Sequence, residues 1–275
     1  MWDILKAILQ GVVQGITEWL PISSTGHLIL VNEFLPFHQS EDWFDMFKVL
    51  IQLGSILAVL VLYFHKLNPF STKKTAQQRK STWMLWGKVA VASVPVALIG
   101  LPLDDMIDSV LSAPWVIATT LFLYGVLFLW MENRNHTPNI HSAEEMGWKT
   151  ALLMGCFQAL ALIPGTSRSG ATILGAVLLG CSRYIAAEFS FFMAIPAMFG
   201  ASGLKLAKYV LLDGKSFSAE EWLLLAIGMV VSFIVSLLVI RFLMNFIKKH
   251  DFKIFGYYRI VLAVVLFALI ALGLL

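Results

Sequence analysis

Long uncharged apolar runs recur along this chain and leave it few ways to fold. The clearest are Pro114–Met131, Trp222–Ile240 and Ile260–Leu275, and Trp83–Leu101 is interrupted only by Lys88. Phe44–Phe64 carries Asp45 and Lys48 near its start, and Phe189–Leu204 holds Pro196, Gly200 and Gly203. Each approaches the roughly 20 residues that a helix needs to cross a hydrocarbon layer about 30 Å thick. A soluble helical protein would need amphipathic chain to wrap six such segments. Here 59% of the residues are apolar and 13% charged, so too little remains to do it. The expected fold class is therefore an all-α polytopic membrane protein, a single membrane domain over 1–275 with about six transmembrane helices.

The charges set an orientation. Between His65 and Thr82 stand Lys66, Lys73, Lys74, Arg79 and Lys80 with no acidic residue, which the positive-inside rule assigns to the cytoplasm. Arg241, Lys248, Lys249, Lys253 and Arg259 against Asp251 place 241–259 on the same side, and Asp104, Asp105 and Asp108 suit an outer turn. Parity then makes 132–148 and 181–188 cytoplasmic. Residues 149–180 must enter and leave from the cytoplasm, and residues 1–42 must begin and end outside. Each of these stretches is expected to be a re-entrant helical hairpin, and both chain ends to face outward. The net charge of +3 is carried by short connections and forms no basic domain, so nucleic acid is not an expected partner. Cys156 and Cys181 lack metal-ligand spacing and read as two buried small hydrophobes. Asp3 and Lys6 in an amphipathic start argue against a removable signal helix.

The two hairpins resemble each other. Gly11-Val-Val-Gln14 followed by Leu20-Pro-Ile-Ser-Ser-Thr-Gly26 aligns with Gly155-Cys-Phe-Gln158 followed by Ile163-Pro-Gly-Thr-Ser-Arg-Ser-Gly170, at a displacement of 144 residues. One hairpin plus three crossings per half forces the second copy upside down. The halves, about 1–131 and 149–275 with linker 132–148, read as an inverted-topology repeat, whose binding site is expected at the repeat interface near the midplane. Unwound tips beside helix N-termini offer free N–H groups suited to an anion.

The first tip carries Gln14 and Glu18 one helical turn apart, then Ser23, Ser24, Thr25 and His27. Ionisable groups inside a membrane segment are costly and mark functional sites, so Glu18 and His27 are candidates for chemistry. Capping or helix packing accounts for Ser23 and Thr25 equally well. The second tip carries Ser167, Arg168, Ser169 and Thr172. Lys149 and Arg183 are the nearest charges to Arg168, so its guanidinium needs a carboxylate, an aqueous cavity or an anionic ligand. Glu18 could be its resting partner and phosphate its bidentate ligand. No Walker A loop or zinc-binding His-Glu-x-x-His helix is present.

The anchors Gln14-Gly-Ile-Thr-Glu18-Trp-Leu-Pro-Ile-Ser-Ser-Thr-Gly-His27 and Pro164-Gly-Thr-Ser-Arg-Ser-Gly-Ala-Thr172 closely resemble the bacterial undecaprenyl-diphosphate phosphatase family, known also for bacitracin resistance. The resemblance covers essentially the whole chain. It implies a phosphoric anhydride hydrolase of the bacterial cytoplasmic (inner) membrane, removing the terminal phosphate of a C55 polyprenyl diphosphate on the outer side and recycling the carrier lipid for peptidoglycan. Its substrate and surroundings would be undecaprenyl diphosphate and membrane lipid. The family's catalytic Ser, His and Arg fall on Ser24, His27 and Arg168, and its Glu/Gln-x-x-x-Glu motif on Gln14 and Glu18. A divalent cation, Mg²⁺ or Ca²⁺, is implied; with Gln at the first position, Glu18 is the principal acidic ligand and Gln14 contributes an amide oxygen. Arg168, Ser167, Ser169, Thr172, Ser23 and Thr25 would surround the phosphate. Ser24 is expected to attack phosphorus with His27 as base, with direct attack by His27 or by activated water as alternatives. A polyprenyl-phosphate transporter or flippase is the competing function. A type-2 phosphatidic-acid phosphatase is a further one, although the second His expected there is missing between Arg168 and His250. The sequence leaves the oligomeric state open, a homodimer included.

Overall fold

The computed structural model describes residues 2–111, 113–134 and 137–274, without the side chains of 101 and 104–111. Among the described residues there is no strand, only helices: α1 Trp2–Thr17, α2 Ser24–Phe34, α3 Glu41–Leu62, α4 Phe64–Leu67, α5 Ala76–Leu111, α6 Pro114–Asn133, α7 Trp148–Leu160, α8 Arg168–Leu178, α9 Arg183–Ala207, α10 Ala219–Phe246 and α11 Lys253–Ala271. A π-helical turn, Lys208–Leu212, extends α9.

Among the described residues, six stretches are long and apolar enough to cross a membrane: Glu41–Leu62, Ala76–Gly100, Pro114–Asn133, Arg183–Leu212, Ala219–Phe246 and Lys253–Ala271. These are the six expected, with their ends shifted by up to eight residues. Charged residues sit comfortably in terminal turns, as where Ser218 and Glu221 close a capping box at the start of α10. The other four main helices are too short to span. The longest, α1, has 16 residues and is about 24 Å long.

The polar connections gather at two ends of the bundle. At one, Arg183 Nε donates to Glu132 Oε1 at 2.9 Å, Lys66 pairs with Glu188 at 2.7 Å, and Asn139 N donates to Gly180 O at 2.9 Å. At the other, Lys215 pairs with Asp42 at 2.5 Å and Lys6 with Asp3 at 2.9 Å, while Lys6 also donates to Pro36 O. Both ends of the α7–α8 pair therefore lie near the first cluster, and both ends of the α1–α2 pair near the second.

Helix partners exchange between the halves. α1 packs on α10 while α7 packs on α5, α3 meets α9, and α6 crosses α11. Gly11 and Gly155 make equivalent close approaches. A Cβ at Gly11 would lie 2.8 Å from Gly228 O, and one at Gly155 2.3 Å from Ala92 O. The absent side chain is what lets the backbones touch.

Three expectations change. The turn expected after Leu101 begins later, because α5 stays helical through Pro95 and Pro102 to Leu111; neighbouring helices make such prolines tolerable in a membrane bundle. The side chains of Asp104, Asp105 and Asp108 lie outside those described. Arg241 and Arg259 are not connection residues: both are inside helices, and Arg259 is 0% exposed. Cys181 is buried, its thiol pushed up to about 11 by burial, but Cys156 is exposed on α7.

Candidate active site

The tips of the two short helix pairs meet in the interior. Helical geometry ends at Thr17, although Glu18 N still donates to Gln14 O at 3.0 Å, and the chain turns through residues 18–22 before α2. Ser23 starts α2 from φ 75° and accepts from Gly26 N at 3.4 Å. In the second tip Ser167 starts α8 from φ 72° and accepts from Gly170 N at 3.2 Å. These are the two non-glycine residues with positive φ among those described. Gly165, at φ 86°, turns the second tip against α6, where Thr120 Oγ1 donates to Pro164 O at 2.7 Å. A Cβ there would lie 2.1 Å from that hydroxyl, so only glycine fits.

Glu18 is the centre of the cluster. Its Oε1 accepts from Arg168 Nη2 at 3.0 Å, and its Oε2 from Ser24 Oγ at 2.7 Å and Gln14 Nε2 at 3.0 Å. The carboxylate side chain is 5% exposed and the guanidinium 14%. Arg168 Nη1 donates to Ser190 O at 2.9 Å, and its guanidinium lies 5.7 Å from the Trp19 ring centroid. One carboxylate thus joins a hydroxyl, an amide and a permanent cation from both halves of the chain.

His27 is differently engaged from what the motif suggests. Its Nδ1 is 2.7 Å from Ser23 O and its Nε2 2.7 Å from Tyr258 Oη, with the two rings stacked 5.7 Å apart. A carbonyl can only accept, so Nδ1 carries the proton and Nε2 accepts from the tyrosine. Ser24 gives its hydroxyl bond to Glu18 instead.

The remaining candidates divide. Thr25 and Ser167 are half-buried in or beside the first turns of α2 and α8. Ser169 Oγ is committed to backbone, within 3.1 Å of Glu18 O and 3.2 Å of Leu20 O, and binds the second tip to the first. Thr172 is buried behind the tip, its Oγ1 2.8 Å from Arg168 O and 2.6 Å from Ser190 Oγ. Ser23 is buried and serves as a cap. In this arrangement the hydroxyls of Ser23, Ser169 and Thr172 are all engaged with atoms of the protein.

In the sequence Arg259 stands beside a basic connection and reads as one more topogenic charge, not as a site residue. Its Nη1 donates to Pro21 O at 2.9 Å, and its Nη2 to Gly165 O at 2.9 Å and Thr166 O at 2.8 Å, with the guanidinium 5.4 Å from the Tyr124 ring centroid. It satisfies carbonyls that two broken helices leave open. A charge alone on the apolar face of α11 was the available signal; the aromatic Tyr258 beside it offered none.

Among the described residues no three His, Cys, Asp or Glu side chains form a metal-ready group. Gln14 Oε1 is buried without a partner and stands on the amide that touches Glu18. One carboxylate and one amide oxygen suit a hard cation whose shell is completed by ligand phosphate oxygens.

The family model described as bacitracin resistance protein BacA matches residues 7–265. Undecaprenyl-diphosphatase of Latilactobacillus sakei is 55% identical over 95% of this chain and 96% of that protein. Those of Lactiplantibacillus plantarum and Acetivibrio thermocellus are each 57% identical over 96% of this chain, covering 96% and 97% of their own lengths. With a match that spans nearly every helix and both tips, the chain belongs to the bacitracin resistance protein BacA family.

Proposed function

We propose that this protein is an undecaprenyl-diphosphate phosphatase, which hydrolyses the terminal phosphate of a C55 polyprenyl diphosphate and so returns the carrier lipid to cell-wall synthesis. The observation that carries the reading is the bond from Ser24 Oγ to Glu18 Oε2, on a carboxylate whose other oxygen holds Arg168. A hydroxyl nucleophile, a base and a phosphate-binding cation share one cluster. Transport of the lipid would require no nucleophile.

Arg168 leaves Glu18 to bind the terminal phosphoryl oxygens bidentately. The open N–H groups in the first turns of α2 and α8 add donors directed at the same anion. Ser24 Oγ attacks phosphorus as Glu18 accepts its proton, which gives Glu18 the role first expected of His27. The new Ser24 O–P bond forms as the bond from phosphorus to the bridging oxygen breaks, and the polyprenyl monophosphate departs. Water then cleaves the phosphoserine, releasing inorganic phosphate and restoring Ser24. His27, on the half-buried side of α2, supplies acid–base help to the leaving oxygen and to that water.

Glu18 and Gln14 would hold a divalent cation, Mg²⁺ or Ca²⁺, with the amide turned so that Oε1 lies on the Glu18 side. Such an ion neutralises charge on the diphosphate.

The protein lies in the bacterial cytoplasmic membrane with its lysine-rich end inside. The α1–α2 pair re-enters from outside and the α7–α8 pair from the cytoplasm, as inverted repeats of 1–131 and 149–275, and the site opens outward. The exchange of helix partners and the clustering of connections at two ends support this placement.

The test is phosphate release from a polyprenyl diphosphate in detergent, where vectorial transport cannot occur. Wild-type protein should release phosphate, and Glu18→Ala, Ser24→Ala and Arg168→Ala should not. Full activity in all three would refute the site, and no release by folded wild type would favour transport. Acid-stable phosphoenzyme trapped by rapid quench supports Ser24 as nucleophile; an acid-labile adduct would move that role to His27.

A further inference from the structure

At the end opposite the outer ends of the α1–α2 pair, residues 65–82 lie beside the start of α5 and border an open cavity of about 460 Å³. Lys66, Lys73 and Lys74 reach its wall with Gln77, Gln78 and Thr82, and Glu144 also lines it. A smaller cavity of about 150 Å³ adjoins it through Gln77, Ser81 and Glu144, and Lys88 lines that one. The charges on these walls are only partly met. Lys66 is paired with Glu188, and Lys88 donates to Ala143 O at 2.8 Å and Glu144 O at 3.2 Å. Lys74 donates to Lys66 O at 3.0 Å and Thr82 Oγ1 at 2.7 Å, both neutral oxygens. Burial holds its ammonium below the ordinary lysine value, so an anion beside it would be favoured. Gln77 and Gln78 belong to the first turn of α5, whose N-terminal dipole adds positive potential.

The rim identifies the source of the anion. Phe70 and Trp83, the sequence neighbours of Ser71 and Thr82 in the cavity wall, are 76% and 54% exposed, with ring centroids 5.5 Å apart. Exposed aromatic rings beside lysines, at the end of a spanning helix, mark the level of lipid headgroups. A free anion would gain from the lysines but has no use for the aromatic rim.

We propose that this cavity binds the phosphate headgroup of an anionic lipid from the leaflet at this end, as a site separate from the Glu18 cluster. Lysines supply charge, glutamine and threonine side chains supply directed hydrogen bonds, and Phe70 and Trp83 lie against the acyl region. The two sites lie at different depths and have no residue in common.

The experiment uses the full chain in detergent, titrated with phosphatidylglycerol or phosphatidylcholine, with bound lipid counted by native mass spectrometry. Wild type should prefer phosphatidylglycerol. Lys73→Gln with Lys74→Gln should weaken that binding about 25-fold, at roughly fivefold per lysine near an anionic headgroup, with phosphate release from a polyprenyl diphosphate unchanged. Should the double variant fold poorly, Lys73→Gln alone removes an exposed charge and should weaken binding about fivefold. Undiminished phosphatidylglycerol binding in a folded variant overturns the proposal. Inorganic phosphate that displaces the lipid at equal concentration would overturn the lipid assignment in favour of a free anion.

Discussion

Ser23 and Ser167 stand 144 positions apart, hold φ at 75° and 72°, and each accept a hydrogen bond from the backbone N–H of the glycine three residues on. Two left-handed non-glycine residues in equivalent places are a costly device used twice. Each costs of order 1 kcal/mol and persists because the surrounding tip enforces it. The reward is placement: the next residues are Ser24 and Arg168, the first of α2 and α8.

Replacing either serine separates cap from strain. Ser23→Ala and Ser167→Ala lose the cap and keep the left-handed backbone, and each should cost about 1 kcal/mol. Ser23→Gly and Ser167→Gly relieve the strain and should cost only a few tenths. Unfolding midpoints in detergent check the order, and glycine variants no more stable than alanine variants would contradict it.

Glu18 and Arg168 form one unit, so their losses should not add. Glu18→Gln and Arg168→Ala should each lower kcat by about 10²- to 10⁴-fold, and the double variant by little more than the worse single. Multiplying losses in a steady-state assay would show that the two residues act separately.

Arg259 places the tips. Arg259→Met leaves Pro21, Gly165 and Thr166 carbonyls without their donor, at about 1–3 kcal/mol for each buried group left unsatisfied. Arg259→Lys keeps a charge but cannot span three acceptors as the fork does. The expected stability order is wild type, lysine, methionine, read from denaturation in detergent. Equal stability of all three would remove Arg259 from this role.

Gln14 tests the cation. Gln14→Glu adds a carboxylate beside Glu18 and should lower the Mg²⁺ or Ca²⁺ concentration giving half-maximal activity. Gln14→Ala should raise it. Activity that survives chelation in wild type, or stays indifferent to both substitutions, would exclude the ion from these residues.

Tyr258 holds His27 through its hydroxyl. Tyr258→Phe keeps the stacked ring and removes one hydrogen bond, worth about 0.5–1.5 kcal/mol. It should therefore lower kcat by at most about tenfold, and His27→Ala by about 10²- to 10⁴-fold. A phenylalanine variant as impaired as the alanine variant would place the tyrosine, not the histidine, at the reacting atoms.

Much of this was legible in the linear chain, for reasons local to each segment. Six apolar runs could only become long helices, because a membrane tolerates no unpaired backbone. Their number, with the lysines of 65–82, is also the basis for expecting two excursions that turn back, which the six spans themselves do not test. The spacing of Gln14 and Glu18 put both on one helical face, and the isolation of Arg168 demanded a partner. Tertiary structure decided which partners were taken. Glu18 lies within hydrogen-bonding reach of Ser24 and Arg168, while His27 turns to Tyr258 across 231 positions. The hydroxyls of Ser169 and Thr172 lie against backbone oxygens of Glu18 and Arg168. Arg259 looked like a loop charge until the fold buried it against three carbonyls. A sequence shows which groups need a partner, because burial and helix period act along the chain. Which partner each finds depends on how two distant tips meet, and that is determined only when the halves pack.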